Sequence, residues 1–189
     1  MSSRSWPNIL VTGTPGTGKT THAAQLVEAL QAKASTSAAG WYHVNVGDFV
    51  KEKGCHQGWN DEWQSWDVDE DKLLDELETV QQAGAKVLDW HTCDMFPERW
   101  IDLVVVLRCD HAQLWSRLEK RGYALPKIQE NNTAEIMEVV LNDARESYAE
   151  EVVVELHSET PDQMEENIAR IVSWVEAWRE NNADEDDEP

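Results

Sequence analysis

Hydrophobic residues along this chain fall either in short unbroken runs or in longer stretches where they recur every three or four positions. Asn8-Ile9-Leu10-Val11-Thr12 is a run of the first kind and meets a glycine-rich turn; Thr20 to Lys33 is of the second kind, with Ala23, Ala24, Leu26, Val27 and Leu30 at helical spacing. Those patterns predict strand, turn, helix. Small polar residues from Ala34 to Gly40 mark a loop, and Tyr42 to Val46 reads as a second strand ended by Gly47-Asp48. Residues 54–71 hold Gly54, Gly58, Trp59, Trp63, Trp66 and many acids with no clear period, so they read as an excursion from the sheet, a mobile flap.

Asp69 can cap a helix in which Leu73, Leu74, Leu77 and Val80 share one face, with Gly84 just past its end. Lys86 to Trp90 is a third strand. Leu103 to Leu107 is continuously apolar between Asp102 and Arg108, the mark of a strand buried on both faces and central in a parallel sheet. A helix from about Asp110 to Arg121 follows. Gly122-Tyr123-Ala124-Leu125-Pro126 breaks it, one long helix then carries Ile136, Met137, Val140, Leu141, Ala144 and Tyr148, and Val152 to Leu156 is the last strand. Thr160-Pro161-Asp162-Gln163 has the form of a capping box and opens a helix with Ile168, Ile171, Val172, Val175 and Trp178 inward. The whole reads as α/β: a five-stranded parallel sheet flanked by helices. Trp90, Trp100, Trp115, Trp174 and Trp178 are expected in the core, whereas Trp59, Trp63 and Trp66 either stack a base or pin the flap.

A chain of 189 residues, 41% of them apolar, suits one domain, here 1–179, followed by an acidic tail at 180–189 expected to be disordered. A formal charge of −21, from 37 acidic against 16 basic side chains, argues against a nucleic-acid-binding surface and favours a basic partner. Cys55, Cys93 and Cys109 form no C-x-x-C pair, so neither a disulfide framework nor a zinc site is expected. With no apolar run of membrane-spanning length and no secretory leader pattern, a soluble intracellular protein is expected.

Candidate chemistry centres on Gly13-Thr14-Pro15-Gly16-Thr17-Gly18-Lys19-Thr20. In a G-x-x-x-x-G-K-[ST] loop the glycines let backbone N–H groups curl around a phosphate, the lysine bridges two phosphates, and the hydroxyl binds magnesium. Its place between a strand and a helix N-terminus favours anions further. This predicts ATP with Mg²⁺ as the bound species. A second oxygen donor for the metal is expected at the end of a neighbouring strand, where Asp89 stands, so Thr20 and Asp89 are the candidate metal ligands. His91 is read as orienting an attacking hydroxyl or water, or as contacting a phosphate. Arg117, Lys120, Arg121 and Lys127 place four cations in eleven residues, either a lid over the nucleotide or a helix end whose dipole favours them. Arg99 is read as gripping a second phosphate or pairing with Glu98 or Asp94. No N-K-x-D sequence appears, which disfavours a GTPase.

The P-loop, Asn45-Val46-Gly47-Asp48, Asp89-Trp90-His91 continuing to Phe96-Pro97-Glu98-Arg99-Trp100, and Leu118 to Tyr123 together resemble the adenylate kinase isoenzyme 6 family, also described as coilin-interacting nuclear ATPases, over about residues 7 to 179. The resemblance implies a P-loop fold of the nucleoside monophosphate kinase type. It implies nucleotide contacts from Gly13, Gly16, Gly18, Lys19, Thr20, Thr21 and Arg121, a monophosphate-binding region at about 45–68 using Gly47, Asp48, Lys51 and Arg99, and a lid at about 120–130. Lys19, Asp89, His91 and Arg121 are the catalytic residues so implied, Asp89 and His91 matching the family's pair tied to ATP hydrolysis. The implied activities are ATP-to-AMP phosphoryl transfer and ATP hydrolysis, in late small-subunit ribosome maturation, nuclear and cytoplasmic, with a basic ribosomal protein of the platform and the pre-ribosomal small subunit as partners. The alternative is an ATP-switched acidic chaperone for that protein. Two departures from the family pattern are a longer loop from Ser35 to Trp41 and the less polar Ala124-Leu125-Pro126.

Overall fold

The computed structural model of the chain describes residues 4–61 and 65–183. Trp63, of the three tryptophans assigned to the flap, and residues 184–189 of the acidic tail lie outside the described residues. Seven strands occur among them: β1 (Asn8–Thr12), β2 (Tyr42–Asn45), β3 (His56–Asn60), β4 (Ser65–Val68), β5 (Lys86–Asp89), β6 (Leu103–Arg108) and β7 (Val153–His157). Five of them form one parallel sheet in the order β2-β5-β1-β6-β7. The central place belongs to β1. β6 lies beside it, and its Leu103 to Leu107 are buried, as the unbroken apolar run requires.

Helices α1 (Lys19–Ala32), α2 (Val46–Lys53), α3 (Glu70–Gln81), α4 (His111–Lys120), α5 (Leu125–Ile136), α6 (Val139–Ser147) and α7 (Pro161–Ala183) cover the sheet. Successive strand side chains face opposite sides, so each strand feeds two cores. Ile9, Val11, Val105 and Leu107 pack with Leu26, Leu30, Ile171 and Val175 of α1 and α7. Leu10, Val104 and Val106 pack on the other side with Val50, Leu73, Leu77 and Leu141 of α2, α3 and α6. Each such side chain contributes about 1.5–3 kcal/mol by leaving water. Asp69 caps α3 through the Lys72 N–H at 3.2 Å, and Thr160 with Gln163 closes the predicted box on α7, at 3.2 and 3.3 Å.

Five expectations need correction. The second strand ends at Asn45 rather than at Gly47-Asp48, because the Asn45 side chain caps a helix whose Val46 and Val50 are buried one turn apart. Residues 54–71 contain an antiparallel hairpin, β3 with β4, whose strands bury only alternate side chains partway. The single long helix is two, α5 and α6, parted at Glu138, whose backbone is left-handed (φ 56°). The tail boundary moves as well: α7 runs on to Ala183, with the Asn182 amide bonding to the Trp178 carbonyl at 2.7 Å, so residues 180–183 are helical. Trp41, placed at the end of a loop, is buried, its indole N–H donating to the Thr36 carbonyl at 3.2 Å.

Candidate functional site

β1 ends in the glycine loop, and the loop has no room for side chains where the glycines stand. A Cβ on Gly13 (φ 143°) would come 2.5 Å from the Leu107 carbonyl oxygen, and one on Gly16 (φ 101°) would strike Leu114 at 2.7 Å. The roof over Gly16 is a small core of Cys109, Leu114, Leu118 and Ile128, so α4 and α5 are packed directly on the loop. Lys19 opens α1 and folds back, its Nζ donating to the carbonyls of Gly13 at 2.8 Å and Thr14 at 3.2 Å. Burial of the charged tip lowers its pKa to about 8, with Asp89 acting the other way, although part of the side chain keeps contact with solvent.

Sheet register brings the other strand ends to the same level. Asp89, the last residue of β5, pairs with Val11 of β1 on one side and Asn45 of β2 on the other. Its carboxylate is buried and accepts from Asn45 Nδ2 at 2.9 Å; His43 Nε2 lies 3.4 Å from the same oxygen but off the line of a hydrogen bond. Asn45 Nδ2 also comes within 3.5 Å of Thr20 Oγ1. Thr20 and Asp89, the expected metal ligands, therefore meet through one amide. Both offer hard oxygen atoms, and among the described residues no three His, Cys, Asp or Glu side chains gather into a metal cage. That donor set fits magnesium, which is held by one or two carboxylates together with phosphates.

His91 follows in the bend after β5, its ring tilted by 58° against that of Trp90 with centroids 4.2 Å apart. Crowding by the surrounding protein, then the cations Lys19 and Lys127, push its pKa down to about 4; the ring still reaches solvent, and at pH 7 it is neutral. Gly47 and Asp48 lie on the first turn of α2 and Lys51 on the next, with Lys51 Nζ 3.2 Å from Asp48 Oδ1. Arg99 is not brought here. It pairs with Glu78 at 3.7 Å, and its carbonyl accepts from Arg4, which also binds Asp102 at the opposite, amino end of the sheet.

The cationic segment after α4 has local reasons for its glycine and proline. The N–H groups of Gly122 and Tyr123 return to the carbonyls of Glu119 and Leu118 at 2.9 and 3.3 Å, a helix stop that uses the left-handed Gly122 (φ 75°), and Pro126 sits in the first turn of α5. Arg117 donates to the carbonyls of Gly16 at 3.3 Å and Glu159 at 3.0 Å, tying the loop to the segment after β7. With Arg121, Lys120, Thr21, Ser158 and Thr160 it lines a cleft of about 430 Å³ beside Gly16 and Gly18. A roomier groove of about 660 Å³ lies between α1 and α7, but the glycine loop does not line it, whereas Gly16 and Gly18 border the smaller cleft.

Sequence reasoning missed four of these contacts. Asn45 was visible only as part of a motif. Glu135 reaches the loop from α5, taking the Thr14 hydroxyl at 2.5 Å, the Arg108 Nε at 2.7 Å and the Cys109 N–H at 3.1 Å; an isolated acid in an acidic helix carries no signal for that. Ser158 donates to the Thr17 carbonyl at 2.7 Å. His22 lies behind the loop with Nδ1 3.0 Å from the Gly18 carbonyl, which makes Nδ1 the protonated nitrogen and leaves Nε2 to face the Asn167 amide at 3.4 Å.

A glycine loop after the central strand, a buried acid at the end of the next strand and this strand order define a kinase-type P-loop nucleotide-binding protein. A family model described as an AAA domain matches residues 9–138. The adenylate kinase isoenzyme 6 homolog of Schizosaccharomyces pombe is 51% identical over 179 residues, 95% of this chain and 97% of that one. The homolog of Dictyostelium discoideum is 48% identical over 179 residues, with the same shares. The chain belongs to the adenylate kinase isoenzyme 6 family. A shikimate kinase from Bacteroides thetaiotaomicron shares the fold, with a TM-score of 0.54 at 16% identity over 90% of this chain and 98% of that one. No described helix is long and apolar enough to cross a membrane.

Proposed function

We propose that the protein transfers the terminal phosphate of ATP to AMP and also hydrolyses ATP. The reading rests on one arrangement: the glycine loop and the first turn of α2 stand on either side of Asp89 and His91, at one end of the sheet. Gly13, Gly16, Gly18, Lys19, Thr20 and Thr21 hold the triphosphate, and Arg117 and Arg121 border the cleft for the nucleoside. Gly47, Asp48 and Lys51 receive the monophosphate within a region of about 45–68. The segment at about 120–130 acts as the lid.

Transfer is in line: an oxygen of the AMP phosphate bonds to the γ-phosphorus as its bond to the β-phosphate oxygen breaks, giving two ADP. Lys19 and Arg121 carry positive charge to the equatorial oxygens. His91, neutral at pH 7, orients the attacking group through a ring nitrogen without adding charge. A magnesium ion on Thr20 and Asp89 would neutralise charge on the phosphates. Coupled detection of ADP with and without AMP tests this. AMP-stimulated ADP formation is expected; ATP hydrolysis indifferent to AMP would reduce the protein to an ATPase.

A second reading has its own support in the charge of −21. The protein, nuclear and cytoplasmic, escorts a basic protein of the small-subunit platform during late ribosome maturation, and hydrolysis releases it. Salt-sensitive binding to that protein that differs between ATP and ADP is the expected result; binding indifferent to both rules the reading out.

A further inference from the structure

The Asn45 side chain is shared between two parts of the site. Its Oδ1 accepts the Asp48 N–H at 3.0 Å, the cap on α2, and its Nδ2 donates to Asp89 Oδ2 at 2.9 Å while approaching Thr20 Oγ1 at 3.5 Å. The orientation is forced: a flipped amide would set N–H against the Asp48 N–H and oxygen against a carboxylate. Asp89 is buried, and among the described residues no other side chain or N–H forms a hydrogen bond to its carboxylate. The first turn of α2 is packed close as well: a Cβ on Gly47 would come 3.3 Å from Asn45 Oδ1 and 3.4 Å from the Trp90 ring. A group docking on that turn therefore cannot shift it without disturbing either the cap or the bond to Asp89.

We infer that Asn45 is a positioning residue that couples acceptor binding on α2 to the metal-side carboxylate, holding Asp89 in place for the metal-bearing triphosphate. The inference rests on the proposed kinase reading. It explains how one protein can serve both transfer and hydrolysis: the amide makes the state of the triphosphate side depend on whether α2 carries an acceptor. By linkage, each ligand then tightens the other by the same factor.

Asn45→Ser separates the two jobs, because serine is a good helix cap but too short to reach Asp89. The measurement is equilibrium binding to wild type and variant, by calorimetry, of AMP and of the non-hydrolysable analogue AMPPNP, with and without Mg²⁺, singly and together. In Asn45→Ser, metal-free AMPPNP and AMP alone are expected to bind within about twofold of wild type, while the Mg²⁺-dependent gain in AMPPNP affinity falls about tenfold, the usual scale for a partner of a metal ligand, and the mutual tightening disappears. An unchanged Mg²⁺ gain and unchanged tightening would overturn the inference. So would a parallel loss of every affinity, which marks a purely structural cap. If wild type itself gains nothing from Mg²⁺, or does not bind AMP, the kinase reading fails before the inference is reached.

Discussion

The Thr14 hydroxyl donates to Glu135 Oε2 at 2.5 Å, a bond across 121 positions of sequence that fastens α5 to the glycine loop. The carboxylate is 4% exposed and serves three donors. Removing it leaves the buried Thr14 hydroxyl and Cys109 N–H without that acceptor, and leaves Arg108 with only the carboxylates of Glu138 and Glu155. Glu135→Ala is expected to lower stability by about 3 kcal/mol and Thr14→Val by about 1 kcal/mol, since the first removes the acceptor of three donors and the second only one of those bonds. The double variant should cost less than the sum. Urea denaturation gives all three values, and strict additivity would show that the two side chains do not act together.

Lys19 must carry its proton to hold phosphate, and in the free protein burial brings its pKa to about 8. A bound phosphate raises that value, so affinity is full below pH 8 and declines as pH climbs above it, approaching a tenfold loss for each further unit. Binding of metal-free AMPPNP from pH 6.5 to 9.5 reads this directly. A flat curve throughout would mean the lysine titrates near its ordinary 10.5. Lys19→Arg should bind more weakly at pH 7 and show no such decline.

His91 lies outside the loop that grips the triphosphate, and its ring is neutral at pH 7. His91→Ala is therefore expected to lower kcat by about a hundredfold, the lower range for a positioned acid or base, while the Kd for AMPPNP stays within about twofold. The wild-type kcat/KM, which reports groups of the free enzyme, should show no step near pH 6.5 from this group, because burial holds its pKa near 4 there. An unchanged kcat in His91→Ala would remove the residue from the mechanism.

Glu138 holds a left-handed backbone (φ 56°) between α5 and α6. Glycine tolerates that conformation and alanine does not, so Glu138→Gly is expected to be more stable than Glu138→Ala by about 1 kcal/mol. This reverses the ordinary helical order of the two residues. Both variants lose the same ion pair with Arg108, which keeps Glu135 and Glu155, so the difference isolates backbone strain. Alanine equal to or better than glycine in urea denaturation would argue against the kink.

The sheet, the loop and α1 were legible because unbroken apolar runs, glycines and helical spacing occur there without interruption. Elements that bury little were not. α2 buries only Val46 and Val50 fully, with Phe49 partly, and the hairpin lends the core only the half-buried Trp66 and Val68 while Trp59 sits edge-on to Trp66 at 5.4 Å, so neither leaves a period long enough to read. The break at Glu138 is invisible because no glycine or proline marks it. Arg99 looked functional from its neighbours in a motif, yet the fold turns that segment to the far end of the sheet, beside Arg4 and Asp102. Asn45 and Glu135 carry polar roles that depend on what stands opposite them, which only the register and the packing of α5 decide.

That register has a consequence for how such a chain can change. Val11, Asp89 and Asn45 stand in one row because β1, β5 and β2 are paired residue for residue. One residue inserted into β5 or β2 would turn every later side chain of that strand to the opposite face and carry the acid or its amide partner out of line. The segment Ser35–Gly40, by contrast, lies between α1 and β2 and outside that row, so its length can grow without moving Asn45 against Asp89. Insertions and deletions are thus tolerated unequally along this chain, least in the strands that end at the phosphate loop.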